Sequence, residues 1–184
     1  MNRRRALLLT LFMLCVVAAD QGTKALTRAG LAYGERRPLI DGVVGLTYVR
    51  NSGAAFSMLG GGRWFFLALV VVFFAVVAVL IRRKVIAAPF ALWCLAAIGG
   101  GALGNAVDRA VSGEVTDMIE PLFVNFAVFN VADIFITCGA IALGVVELFF
   151  DRSGQNIRYH VISNQYSRIL ITDYMLPFCK RDVL

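Results

Sequence analysis

A run of 23 residues without a charge, Val85 to Val107, constrains this chain more than any other feature. About 20 apolar residues in a helix cross the hydrocarbon core of a bilayer, so the run is a membrane span. Trp64 to Ile81 adds 18 charge-free residues, and Ala6 to Ala19 adds 14. Ile134 to Val146 adds 13, extended on both sides by apolar residues around Asp133 and Glu147. The composition agrees, with 59% hydrophobic and 16% charged residues, where a soluble domain carries about 25% charged. An ordinary soluble domain is excluded, and four transmembrane helices are expected.

The net charge of +6 makes no continuous basic face, so a nucleic-acid partner is not expected. The basic residues instead form clusters, Arg3-Arg4-Arg5 and Arg82-Arg83-Lys84, which the positive-inside rule puts in the cytoplasm. Both chain ends are then cytoplasmic. The segment from about Leu26 to Arg63, with a β-favouring stretch at Val43 to Val49, falls outside, as does Asp108 to about Phe129. Ala6 to Ala19 resembles a cleavable signal peptide, but the helical pattern continues through Lys24, and an uncleaved first span is the better reading. The organisation expected is a membrane domain over residues 1–151 and a polar cytoplasmic tail over 152–184 without a chemical motif.

Cys15, Cys94, Cys138 and Cys179 have no C-x-x-C spacing, and the single histidine, His160, lies in the tail. Neither disulfides nor a metal site is expected. Gly99-x-Gly101-x-x-Gly104 matches a dinucleotide fingerprint only formally, lying in a span with no preceding strand. Gly100-x-x-x-Gly104 reads better as a surface for close helix packing.

Acids at the membrane need a partner or a task, because an aspartate at a helix centre costs roughly 2.5–3.5 kcal/mol on insertion scales. Asp20 has Lys24 one turn later, and Asp108 lies three residues after Asn105 and beside Arg109. Asp117 and Asp133 have no neighbouring cation. The topology brings both to the outer membrane boundary, where tertiary packing alone joins residues 16 apart. Two carboxyls sharing a partly dry site do not both ionise readily, which makes a base and an acid available together. That is the chemistry of an aspartyl peptidase pair, and it needs no cofactor. Asn51, Asn105 and Asn130 map to the same side, where their amides either hold a peptide backbone or orient the acids. For each polar residue taken alone, a cap or turn role is the plain alternative.

Asp20-Gln21-Gly22-Thr23-Lys24, Asn51-Ser52-Gly53-Ala54-Ala55-Phe56, Gly104-Asn105-Ala106-Val107-Asp108-Arg109, Val115-Thr116-Asp117 and Phe129-Asn130-Val131-Ala132-Asp133 follow one another in this order. The set resembles the successive motifs of bacterial lipoprotein signal peptidase, signal peptidase II, over about residues 1 to 151. The resemblance implies an all-α membrane fold of four transmembrane helices with a small extracytoplasmic β-cradle. It implies an aspartic endopeptidase of the bacterial inner membrane that removes signal peptides from diacylglyceryl-modified prolipoproteins, cutting before the lipidated cysteine. Asp117 and Asp133 occupy the catalytic positions. Asn105, Arg109 and Asn130 line the site, Asp20, Lys24, Asp108 and Ala132 support it, and Asn51 with Gly53 belongs to the cradle. The partners implied are prolipoproteins and membrane lipid, and a monomer suffices.

Three other readings compete. Ser57 with Lys24 gives a Ser/Lys hydrolase, although Asp20 favours the charged lysine. A proton-coupled carrier predicts acids at several depths, whereas the centres of all four spans lack Asp and Glu. A structural scaffold uses the polar residues only to fasten helices. The chain is not itself read as a lipoprotein, because Leu14 before Cys15 is too bulky for a lipobox.

Overall fold

The computed structural model describes residues 2–53, 62–86 and 88–149. Ala54, Ala55, Phe56, Ser57 and the tail from 150 onward, with His160 and Cys179, lie outside the described residues. A compact unit covers Met1–Leu143, and a second begins at Gly144.

Helix α1, Arg3–Gly30, begins at Asn2, whose side chain accepts the Arg5 N–H at 2.9 Å. It continues past Ala19 and past Leu26, so the segment that follows the first helix starts several residues later than the sequence suggests. Its buried residues are Leu9, Val16, Asp20, Lys24 and Thr27, a single stripe at spacings of seven, four, four and three. That stripe is apolar in its first half and charged in its second.

Helix α2, Arg63–Arg82, buries none of its residues. Helix α3, Pro89–Ser112, has half of its most apolar window buried and packs on α1 and α2. Among the described residues, these three helices are long and apolar enough to cross a membrane. Helix α4, Val131–Phe149, carries a shorter apolar stretch, Val131–Val146. Leu9, Leu92 and Ala96 form the apolar core, and Phe12 meets the edges of Trp93 and Phe135, tying α1 to α3 and α4.

The glycines of α3 set the helix spacing. A Cβ on Gly100 would come within 2.9 Å of Val16 Cβ, and one on Gly104 within 2.5 Å of Asp20 Oδ2. Gly101 lies as closely against the Ala132 carbonyl and Ile136 of α4. The small-residue stripe expected from the sequence is therefore a two-sided contact, with α1 on one side and α4 on the other.

Among the described residues, the segments between the helices form a three-stranded antiparallel sheet, β1 Arg36–Ile40, β2 Val44–Asn51 and β3 Val115–Pro121, in the order β1-β2-β3. The sequence marked only the β2 region. All of β1 is exposed and it contains Pro38, so it has no alternating pattern to read. Gly113, left-handed at φ 85°, ends α3 and turns the chain into β3 within two residues. Val49 then pairs with Asp117 and Asn51 with Val115. Phe129 bridges back to Ile119, exchanging N–H···O bonds of 3.0 and 2.8 Å. This return pins the start of α4 beside β3.

Replacing Gly104 by Ala is expected to lower stability by about 1–3 kcal/mol, read from thermal unfolding in detergent. Gly22→Ala, where a Cβ has open space, is the control and should be neutral or stabilising by up to about 1 kcal/mol.

Candidate active site

Lys24 is fully buried, and its ammonium has three acceptors. Nζ lies 2.8 Å from Asp20 Oδ2, 3.1 Å from Asp108 Oδ2 and 2.8 Å from Asn105 Oδ1. An ammonium has three protons, so this set satisfies it. Both carboxylates also reach backbone N–H groups. Asp20 Oδ1 accepts from Ala132 at 3.0 Å, and Asp108 Oδ2 from Thr116 at 3.1 Å. The cluster therefore joins α1, α3, β3 and α4 at one point.

The i, i+4 pairing of Asp20 with Lys24 is present as the sequence suggests. Asp108 turns out to pair with Lys24 across helices and not with its neighbour Arg109, because adjacent helical residues point to different faces. Gln21 completes the cluster, donating to Asp108 Oδ1 and the Gly104 carbonyl, both at 3.0 Å. Arg109 faces the other way, donating to the Gly53 carbonyl at 2.7 Å and stacking 4.4 Å above the Phe66 ring of α2.

Asn130 begins α4 and forms a capping box with Asp133. The Asp133 N–H donates to Asn130 Oδ1 at 3.0 Å, and Asp133 Oδ2 accepts the Asn130 N–H at 3.2 Å. Asp133 Oδ1 accepts from Asn105 Nδ2 at 2.8 Å. Asp117 Oδ1 accepts from Asn130 Nδ2 at 2.6 Å, and its Oδ2 from Asn51 Nδ2 at 3.1 Å. Asn130 thus touches both acids. All three asparagine amides donate to the two carboxyls.

Asp117, Asp133, Asn51, Gly53, Asn105, Arg109 and Asn130 line one cavity of about 520 Å³. Asp20, Lys24 and Asp108 stand behind it, and Ala132 is fully buried against Asp20. The cavity extends along α4 past Ile134, Thr137 and Cys138, and is closed by Phe66, Val115 and the stretch from Phe126 to Phe129. Sequence reading missed Gln21, Phe66 and this last stretch. Gln21 and Phe129 lie in motifs the sequence shows, but their contacts are tertiary, Gln21 reaching Asp108 and Phe129 pairing by its backbone with Ile119.

Asp117 is 2% exposed. Its burial, and then the charge of Asp133, push its carboxyl up to about 6, against hydrogen bonds from Asn130 and Asn51 that act the other way.

The family model for signal peptidase (SPase) II matches residues 12–150. The chain belongs to the signal peptidase II family. As a signal peptidase II it is an aspartic peptidase, so the carrier and scaffold readings do not describe it. It is 39% identical to the lipoprotein signal peptidase of Brevibacillus brevis over 136 residues, 74% of this chain and 91% of that one. It is 40% identical to that of Streptococcus pyogenes over 141 residues, 77% of this chain and 91% of the relative. A solved bacterial membrane enzyme, determined by the in meso method at 2.3 Å resolution, superposes with a TM-score of 0.73 at 29% identity. That match covers 79% of this chain and 90% of the other. The chain is a membrane enzyme, with four helices and a small antiparallel sheet among the described residues. In the Ser/Lys reading, Ser57 lies outside the described residues, while Lys24 already donates to three acceptors.

Lys24→Met leaves two buried carboxylates facing each other, and should cost about 3–5 kcal/mol of stability, measured by thermal unfolding in detergent. Asp117 binds its proton more tightly folded than unfolded, so its contribution is full below the ordinary value of 3.8 and is lost as pH rises through about 6. Stability across that window should fall by up to about 3 kcal/mol from this group. Asp117→Asn should flatten that part of the pH–stability curve.

Proposed function

We propose that this enzyme removes signal peptides from prolipoproteins whose cysteine carries a diacylglyceryl group, cutting just before that cysteine, with Asp117 and Asp133 as the catalytic pair. The observation that carries this reading is the pair itself: both carboxyls line one cavity and accept from Asn130. One carboxylate takes a proton from water as the water oxygen attacks the scissile carbonyl. The other, neutral, hydrogen-bonds the developing oxyanion, and the leaving nitrogen is protonated as its bond to carbon breaks. No covalent intermediate and no cofactor is required.

The apolar arm of the cavity suits this substrate. Ile134, Thr137 and Cys138 run down α4 from Asp133, so a signal helix and acyl chains already in the bilayer need only move laterally to reach the acids. Helix α4 serves as the fourth span, and the family membership supports that role for its shorter apolar stretch. The basic clusters near residues 3–5 and 82–84 support cytoplasmic termini and a site at the outer face of the bacterial inner membrane. Asn51, Asn105 and Asn130 orient the pair. Asp20, Lys24 and Asp108 brace it, Arg109 with Gly53 shapes the cavity rim, and Ala132 gives Asp20 its purchase on α4. One copy carries every group named. The peptidase portion is residues 1–151, and 152–184 forms an appendage outside the chemistry.

The test uses purified wild type, Asp117→Asn and Asp133→Asn in detergent, with a diacylglyceryl-cysteine signal peptide and its unlipidated control. Wild type should cleave only the lipidated peptide, and each variant should lose at least about a thousandfold in kcat/KM, about 4 kcal/mol of transition-state stabilisation, while unfolding at a near-normal temperature. Equal cleavage by wild type and a folded variant would contradict the pairing.

A further inference from the structure

Three asparagines surround the two acids, and each has its orientation fixed by a group that can only donate. A side-chain amide offers either its oxygen or its NH2, so the partner without a choice decides. The Lys24 ammonium holds Asn105 Oδ1 at 2.8 Å, which turns Asn105 Nδ2 to Asp133. The Asp133 N–H holds Asn130 Oδ1 at 3.0 Å, which turns Asn130 Nδ2 to Asp117 Oδ1 and Asn105 Oδ1. The Gly53 N–H holds Asn51 Oδ1 at 3.0 Å, which turns Asn51 Nδ2 to Asp117 Oδ2. All three amides aim donors at the pair, which favours negative charge there.

The two acids nevertheless differ. Asp133 sits in the first turn of α4, where the helix dipole favours an anion, and each of its oxygens has one close donor, at 2.8 and 3.2 Å. Asp117 lies on strand β3 and belongs to no helical turn. Its oxygens accept from two side-chain amides, Oδ1 at 2.6 Å and Oδ2 at 3.1 Å, whereas the Asp133 donor Asn105 is itself held by the Lys24 ammonium.

We infer that the first turn of α4 and the Lys24–Asn105 contact place the resting negative charge on Asp133 and the shared proton on Asp117, with Lys24 and Asn105 as the positioning residues that enforce this assignment. It rests on the two aspartates being the catalytic pair. The charged groups around the pair are Asp20 and Lys24 from α1 and Asp108 and Arg109 from α3. Asp20 and Asp108 are engaged by Lys24, and Arg109 acts on both members of the pair.

The reaction then has a direction. Asp133 takes the proton of the attacking water as the O–C bond forms, and Asp117 passes its proton to the carbonyl oxygen, giving a neutral gem-diol. Asp133 then protonates the amide nitrogen as the C–N bond breaks, and a gem-diol hydroxyl returns its proton to Asp117. The products are a carboxylic acid and an amine, and the pair regains its starting state.

Full-length enzyme labelled with 13Cγ-aspartate, in lipid nanodiscs, reports protonation directly, with Asp117→Asn and Asp133→Asn used only to assign resonances. As pH is raised, the Asp133 carboxyl should reach its ionised shift while Asp117 is still neutral. The opposite order, or one shared titration, would overturn the assignment. In a second measurement, Asn105→Leu should move the acid limb of the kcat/KM profile upward by about one pH unit and leave the alkaline limb in place, whereas Asn51→Leu should move only the alkaline limb. An Asn105→Leu that lowers kcat with both limbs unmoved would make Asn105 merely structural and overturn its positioning role. The resonance experiment needs no activity, so its failure is distinct from failure of the catalytic pairing, which the cleavage assay reads.

Discussion

A single buried ammonium organises the functional end of this molecule. Lys24 lies with no exposed surface between Asp20 and Asp108, and desolvating such ions costs several kcal/mol apiece. Apolar residues of similar size would often be as stable in their place. What they would not supply is direction. The three ions and their backbone contacts fix where α3, β3 and α4 meet α1 to within a hydrogen bond. Gly104 leaves the gap in which Asp20 fits, so helix packing and the ionic cluster constrain each other.

The start of α4 combines two roles that are usually contrasted. Asp133 is an ordinary helix-capping acid, reciprocally bonded to Asn130, and it is also part of the cavity wall. Capping is what holds its carboxyl still, leaving few of the rotamers a free side chain would sample. The backbone of Phe129, paired with β3, then fixes the distance from the cap to Asp117. The sheet is small because its task is local: it carries Asn51 and Asp117 to the end of the helices.

Much of this was legible in the sequence. Charge-free runs reveal helices, and α1, α2 and α3 have membrane-spanning length and apolarity. The spacing of Asp20 and Lys24 gives a pair on one helical face, and that pair is present. The partner of Asp108 was not legible, because sequence adjacency suggests Arg109 whereas the helix directs the two side chains apart. Nor were β1 and β3 visible: one is fully exposed, and the other begins with a buried run that lacks alternation. The stacking of Arg109 on Phe66 joins α3 to α2 and leaves no spacing rule in either segment. The asparagines stand out in the sequence, and the structure brings all three to the cavity, but their orientations depend on which neighbours can only donate, and that requires coordinates.

The ionic cluster holds the first turn of α4 in place through Asp20 and the Ala132 N–H. Residue-resolved amide hydrogen exchange in nanodiscs tests it most directly, comparing wild type with Asp20→Asn. The account predicts that Ala132 and Asp133 exchange faster in the variant by on the order of tenfold or more. Thr116, held by Asp108, should keep its protection. Unchanged exchange at Ala132 and Asp133 would contradict the account, because α4 would then be held without the cluster.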